Sequence, residues 1–135
     1  MPHLVLLYTP NLEPAADIGT MCRKLADAML SVRDEADRQV FPTGGTRVLA
    51  YPATHYAVAD GGGDYGFIYL NLRMGAGRSD AVKQRAGDIL LDTARTHLAP
   101  LFERGPLGLT VQIDESPGQV YDGKHSTLHP LFTQA

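Results

Sequence analysis

The chain of 135 residues has no tryptophan, one cysteine, only 20% charged residues and a formal net charge of −3. A lone Cys22 excludes an internal disulfide framework, and a reducing cytoplasm is the expected setting. With no basic excess to neutralise a run of phosphates, nucleic acid is not an expected partner. No apolar run approaches the roughly 20 residues of a membrane-spanning helix, so no membrane partner is expected. Leu4–Leu7 is also too short for a secretory signal and has no basic region before it. The apolar fraction is 44%, with a mean hydropathy of −0.14, enough to build a core. The length suits one domain, 1–135, whose expected partner is a small molecule or another copy of itself.

Periodicity divides the chain into two similar halves. His3–Tyr8 is a nearly continuous apolar run, which predicts a strand buried on both faces. Asn11 is placed to cap a first helix, and Glu13-Pro14 suits its first turn. Ile18, Met21, Cys22, Leu25, Met29 and Val32 then recur at spacings of three and four, the stripe of an amphipathic helix. After the turn-rich Phe41–Gly45, a second strand is expected over Thr46–Ala57, interrupted near Pro52. Asp60-Gly61-Gly62-Gly63-Asp64 signals a hairpin or a loop. Tyr65–Met74 alternates clearly, with Ile68, Leu70, Leu72 and Met74 on one side and Phe67, Tyr69, Asn71 and Arg73 on the other. Ser79-Asp80 caps a long helix expected to run to about Glu103, which Gly105-Pro106 stops. Leu107, Leu109, Val111 and Ile113 form a fourth strand. The order strand–helix–strand, twice, predicts one four-stranded sheet with both helices on one face. The opposite face, assigned Phe67, Tyr69 and Tyr8, is apolar enough to need cover, which predicts a symmetric oligomer. Residues 116–135 lack a clean period and read as a tail packing on a neighbouring subunit.

Few residues are placed for chemistry. Met1 followed by a small residue is a common substrate for removal of the initiator, which would expose Pro2 as a secondary amine at the start of a buried strand. Burial and nearby cations disfavour its charged form, and an amine poised near neutrality shuttles protons as general base and then general acid. With Met1 retained, Pro2 is a tertiary amide without basicity. Arg47 and Arg78 each follow a glycine-bearing turn, and Arg78 directly precedes a helix N-terminus, where an anion is already favoured. Each is suited to a bidentate grip on a carboxylate; the other readings are an exposed arginine or a pair with Asp60, Asp64 or Asp80. Gly75-Ala76-Gly77 lacks the third glycine of a dinucleotide fingerprint. His125 and His129 have a metal-like spacing, but Pro130 opposes a regular helix and no third ligand is nearby, so no metal is expected. His97 reads as a hydrogen-bonded core histidine and Cys22 as an inert thiol.

Together Pro2-His3-Leu4, Phe41-Pro42 through Gly45-x-Arg47, Asp64-Tyr65-Gly66-Phe67 and Gly75-Ala76-Gly77-Arg78-Ser79 form a pattern that resembles the 5-carboxymethyl-2-hydroxymuconate Δ-isomerases of the tautomerase superfamily. The likeness extends to Thr96-His97 and His129-x-Leu131-Phe132, and so over nearly the whole chain. It implies an α+β fold of βαββαβ subunits assembled as a homotrimer, with sites near subunit boundaries. It also implies cofactor-free isomerisation of an unsaturated 2-hydroxy di- or tricarboxylate in aromatic catabolism. By position, Pro2 would be the general base and acid, with Arg47 and Arg78 holding substrate carboxylates and assisting catalysis. The chain departs from the family pattern at Leu7 and Thr9, where an acidic residue and a serine are expected, and at Leu49 and the 61–63 loop. Those departures bear on substrate choice, leaving a tautomerase of another enol, or a trimeric binding or structural protein without catalysis, as the alternatives.

Overall fold

The computed structural model of the chain describes residues 2–132; Met1 and the last three residues of the expected tail lie outside them. The elements run β1 (His3–Tyr8), α1 (Ile18–Leu30), β2 (Arg47–Pro52), β3 (Gly66–Gly75), α2 (Asp80–His97), α3 (Ala99–Arg104) and β4 (Leu107–Ser116). The strands form one sheet in the order β2-β1-β3-β4. β1 and β2 are parallel, as are β3 and β4, each pair joined through helix, while β1 and β3 meet antiparallel at the centre. This is the expected α+β architecture.

The core lies between the sheet and the helices. Leu4, Leu6, Ile68, Leu70 and Leu72 are fully buried beneath the α1 stripe of Met21, Leu25 and Met29 and the α2 stripe of Ala86, Leu90 and Ala94. Each large aliphatic side chain removed from water contributes about 1.5–3 kcal/mol. β1 is therefore buried on one face only: Leu4, Leu6 and Tyr8 point inward, whereas Leu7 is 47% exposed. Tyr8 is expected from sequence on the open face. Strand alternation corrects that placement, because Tyr8 shares the parity of Leu4 and Leu6 and is buried.

Three element boundaries also differ from expectation. β2 stops at Pro52, although Ala53 N–H still donates to the Tyr8 carbonyl at 2.8 Å, and 53–65 is loop rather than strand. β2 and β3 are not neighbours, so the glycine-rich 61–63 segment is a loop and not a hairpin turn. The long second helix divides at Leu98: Pro100 has no N–H to continue α2, and a separate α3 begins at Ala99. At the first helix, Pro10–Leu12 forms a 3-10 turn and α1 begins only at Ile18, after Asp17 in the left-handed region. Asn11 is not its cap; its amide donates to Asp64 and to the Tyr65 carbonyl, both at 2.9 Å, tying β1's exit to β3's entry. Ser79 does cap α2 as expected, its Oγ accepting from Val82 N–H at 3.2 Å.

Candidate active site at the amino-terminal end of β1

Because β1 is central and β3 antiparallel to it, the start of β1 lies beside the start of β2 and the end of β3. His3 is directly opposite Arg47 on one side and Arg73 on the other. Pro2, which is buried, precedes that pair by one residue, and Arg78 follows the last residue of β3 by three. Topology therefore gathers Pro2, Arg47 and Arg78 at one end of the sheet from three separate segments.

Arg78 is held more firmly than a surface arginine. It donates from Nη1 to the Gly75 carbonyl and from Nη2 to the Val40 carbonyl, each at 3.2 Å, and its guanidinium lies 5.6 Å from the centroid of the buried Phe41 ring. Gly77, at φ +112°, is the residue that lets the chain turn sharply enough to direct Arg78 back across the β3 exit. Among the described residues Arg78 pairs with none of the three aspartates. Asp80 lies against Lys83 at 3.2 Å, Asp64 accepts from Asn11, and Asp60 accepts from Gly62 N–H at 2.9 Å. Arg78 is thus a fork fixed by two carbonyls, with further N–H groups left to meet an anion. Arg47, the first residue of β2, is half-buried.

His3 is a site residue that carries no local signal in the sequence. It lies between the two strand arginines and lines a cleft of about 830 Å³ with Arg73, Gly75, Ser116 and Asp122. Burial and then the charges of Arg47 and Arg73 push the imidazole pKa below its ordinary value, so His3 is neutral at pH 7. The remaining candidates behave as bystanders. His97 meets the Ala16 carbonyl at 2.7 Å and Lys24 Nζ at 3.2 Å, a structural link between α2 and the α1 segment. Burial raises the Cys22 thiol, keeping it protonated. His129 contacts Ser126 Oγ at 2.9 Å, and among the described residues no group of three or more His, Cys, Asp or Glu is arranged to hold a metal. Nor is any helix among them long and apolar enough to cross a membrane.

The family model for 5-carboxymethyl-2-hydroxymuconate isomerase matches residues 2–132, nearly the full chain. The chain belongs to the 5-carboxymethyl-2-hydroxymuconate isomerase family. Within that family it is similar to a 5-carboxymethyl-2-hydroxymuconate Delta-isomerase of Escherichia coli, with 30% identity over 98% of this chain and 99% of the relative. A crystal structure of a 5-carboxymethyl-2-hydroxymuconate delta-isomerase superposes with a TM-score of 0.94 at 58% identity, covering 100% of this chain and 95% of the other. The isomerase of Deinococcus radiodurans R1 gives 0.85 at 35% identity, covering 98% and 95%. The fold alone extends to a fused 4-OT asymmetric trimer, at 19% identity, a TM-score of 0.59 and coverage of 98% and 99%. The chain is thus an isomerase of this family, as the sequence motifs implied.

Proposed function

We propose that the protein is a cofactor-free isomerase of 5-carboxymethyl-2-hydroxymuconate or a closely similar unsaturated 2-hydroxy acid, acting as a homotrimer in cytoplasmic aromatic catabolism. The observation that carries the reading is the convergence of Pro2, Arg47 and Arg78 at one end of the sheet in a chain whose family match begins at Pro2.

The chemistry follows from the groups present. With Met1 removed, the Pro2 nitrogen is a secondary amine, and burial plus the nearby guanidinium charges favour its neutral form. The neutral amine takes the proton of the 2-hydroxyl group. The oxygen's electron pair closes to a carbonyl as the double bonds shift along the conjugated chain, and the resulting ammonium returns its proton to a distant carbon. Atoms and electrons balance within the substrate, so the step needs no redox partner. Arg47 and Arg78 hold carboxylates and favour the negative charge that builds on the oxygen during transfer. The apolar open face of the sheet and the exposed tail around Val120 and Tyr121 are the surfaces that neighbouring subunits would cover.

The test monitors ketonisation of 2-hydroxymuconate and of its 5-carboxymethyl derivative by ultraviolet absorbance, after mass measurement establishes that Met1 is gone. Pro2→Ala is expected to lower kcat at least a hundredfold without changing the assembly. Equal rates for the variant and the parent would remove Pro2 as the base; no conversion by the processed parent would leave the non-catalytic trimer as the reading.

A further inference from the structure

At the Pro2 end of the sheet a row of directly opposed residues crosses all four strands: Arg47 on β2, His3 on β1, Arg73 on β3 and Asp114 on β4. Directly opposed residues share a sheet face, and adjacent strands lie about 4.8 Å apart. Two arginine positions therefore stand about 10 Å apart on the open face with an imidazole between them.

Arg47 has a role in the reading above; Arg73 has none. Within the single chain its side chain is exposed, and among the described residues no carboxylate forms an ion pair with it. The acids around it are engaged elsewhere. Asp114 accepts from the Asn71 amide at 2.9 Å, Glu115 from Lys83 at 2.9 Å, and Asp122 across the cleft from Lys124 at 2.6 Å. Keeping an arginine unpaired beside three carboxylates that have other partners leaves its fork available to an incoming anion. The position fits the site as well. Arg73 and Gly75 line the same cleft, and the Gly75 carbonyl is the one that Arg78 grips, so the wall that Arg73 begins is continuous with the Arg78 turn. His3 lines the same cleft and offers a hydrogen-bonding ring there.

We infer that Arg73 is a third substrate-anion contact, which selects an unsaturated 2-hydroxy acid carrying three carboxylates over one carrying two. The substrate class rests on the isomerase reading, whereas the residue rests on the cross-strand row. Arg47 and Arg78 account for two carboxylates, the number a muconate chain carries. A carboxymethyl branch brings one more anion, which needs a cation of its own at the same end of the sheet.

The experiment compares kcat/KM for 5-carboxymethyl-2-hydroxymuconate with that for 2-hydroxymuconate in the parent, Arg73→Gln and Arg73→Lys. The preference for the triacid is expected to fall at least tenfold in Arg73→Gln, through KM rather than kcat, and to recover in part in Arg73→Lys. In parallel the His3 ring resonances are monitored while unreactive tricarballylate is added. A saturable shift is expected in the parent, with affinity at least tenfold weaker in Arg73→Gln. An unchanged preference, or a His3 signal indifferent to tricarballylate, overturns the assignment. A parent that turns over neither acid yet binds tricarballylate beside His3 would remove the isomerase reading and leave the Arg73 contact standing.

Discussion

His3 shows how one side chain takes its state from residues distant in sequence. Partial burial first, and then the charges of its opposed neighbours Arg47 and Arg73, hold the native imidazole's pKa below the ordinary value of 6.5. The unfolded chain then binds the proton more readily than the folded one, so His3 favours the native state above pH 6.5 and that contribution is lost as pH falls through 6.5 toward the lowered native pKa. Replacing His3 by Asn is expected to flatten the rise of unfolding free energy as pH climbs from below 6.5 to neutrality, measured by urea titration at each pH. An unaltered slope would show that other groups set it. Pro2, Arg47 and Arg78 were legible as single residues because a processing signal or a glycine turn marks each. His3 and Arg73 were not, since their meeting depends on a strand register between positions 3, 47 and 73 that no local pattern displays. Thr9 departs from the expected serine by one methyl group and keeps the hydroxyl, which accepts from Phe67 N–H at 2.9 Å where β1 ends. The retained hydroxyl explains why this departure leaves the strand junction intact.

Among the elements, the β3–α2 turn joins stability to binding. Arg78 fastens the turn to the Val40 segment, donating to the turn's own Gly75 carbonyl and to the Val40 carbonyl, and lies against Phe41, so it has a structural role besides its charge. Arg78→Ala is expected to cost about 1–3 kcal/mol of unfolding free energy and to raise KM together. Arg78→Lys should restore charge without the planar fork, recovering KM more than stability; denaturant titration and steady-state kinetics separate the two. Intact stability in the alanine variant would mean that the carbonyl contacts contribute nothing. Turn chemistry of this kind was readable from Gly75-Ala76-Gly77-Arg78-Ser79, and the amphipathic stripes placed both long helices on one face. Boundaries were harder because packing and backbone chemistry disagree at them. Leu98 and Leu101 continue the apolar stripe straight through the point where Pro100 breaks the hydrogen-bond ladder, so hydrophobic period alone passes over the division between α2 and α3. Likewise Ile18–Leu30 shows its helical face, but nothing in its stripe reveals that Asp17 enters it through a left-handed conformation.

The whole molecule is a sheet with one face finished and the other bare. Leu7, Leu49 and Tyr51 lie 47%, 44% and 50% exposed on the bare face, an apolar surface that a single copy of the chain leaves in water. Leu7→Glu is expected to shift the proposed trimer toward monomer, read by sedimentation velocity, while far-ultraviolet circular dichroism stays the same. A trimer that survives the substitution would place the contact elsewhere. The sheet order has a further consequence for how the chain comes to exist at all. β1 is made first yet sits in the middle, and its two partners are supplied by positions 47–52 and 66–75, with β4 completing the sheet only at 107–116. During synthesis the amino-terminal strand must wait until half of the chain has emerged before both its edges are paired. On the proposed reading, an initiator methionine would therefore be open to removal while β1 is still unpaired, and Pro2 becomes buried only after that interval has closed.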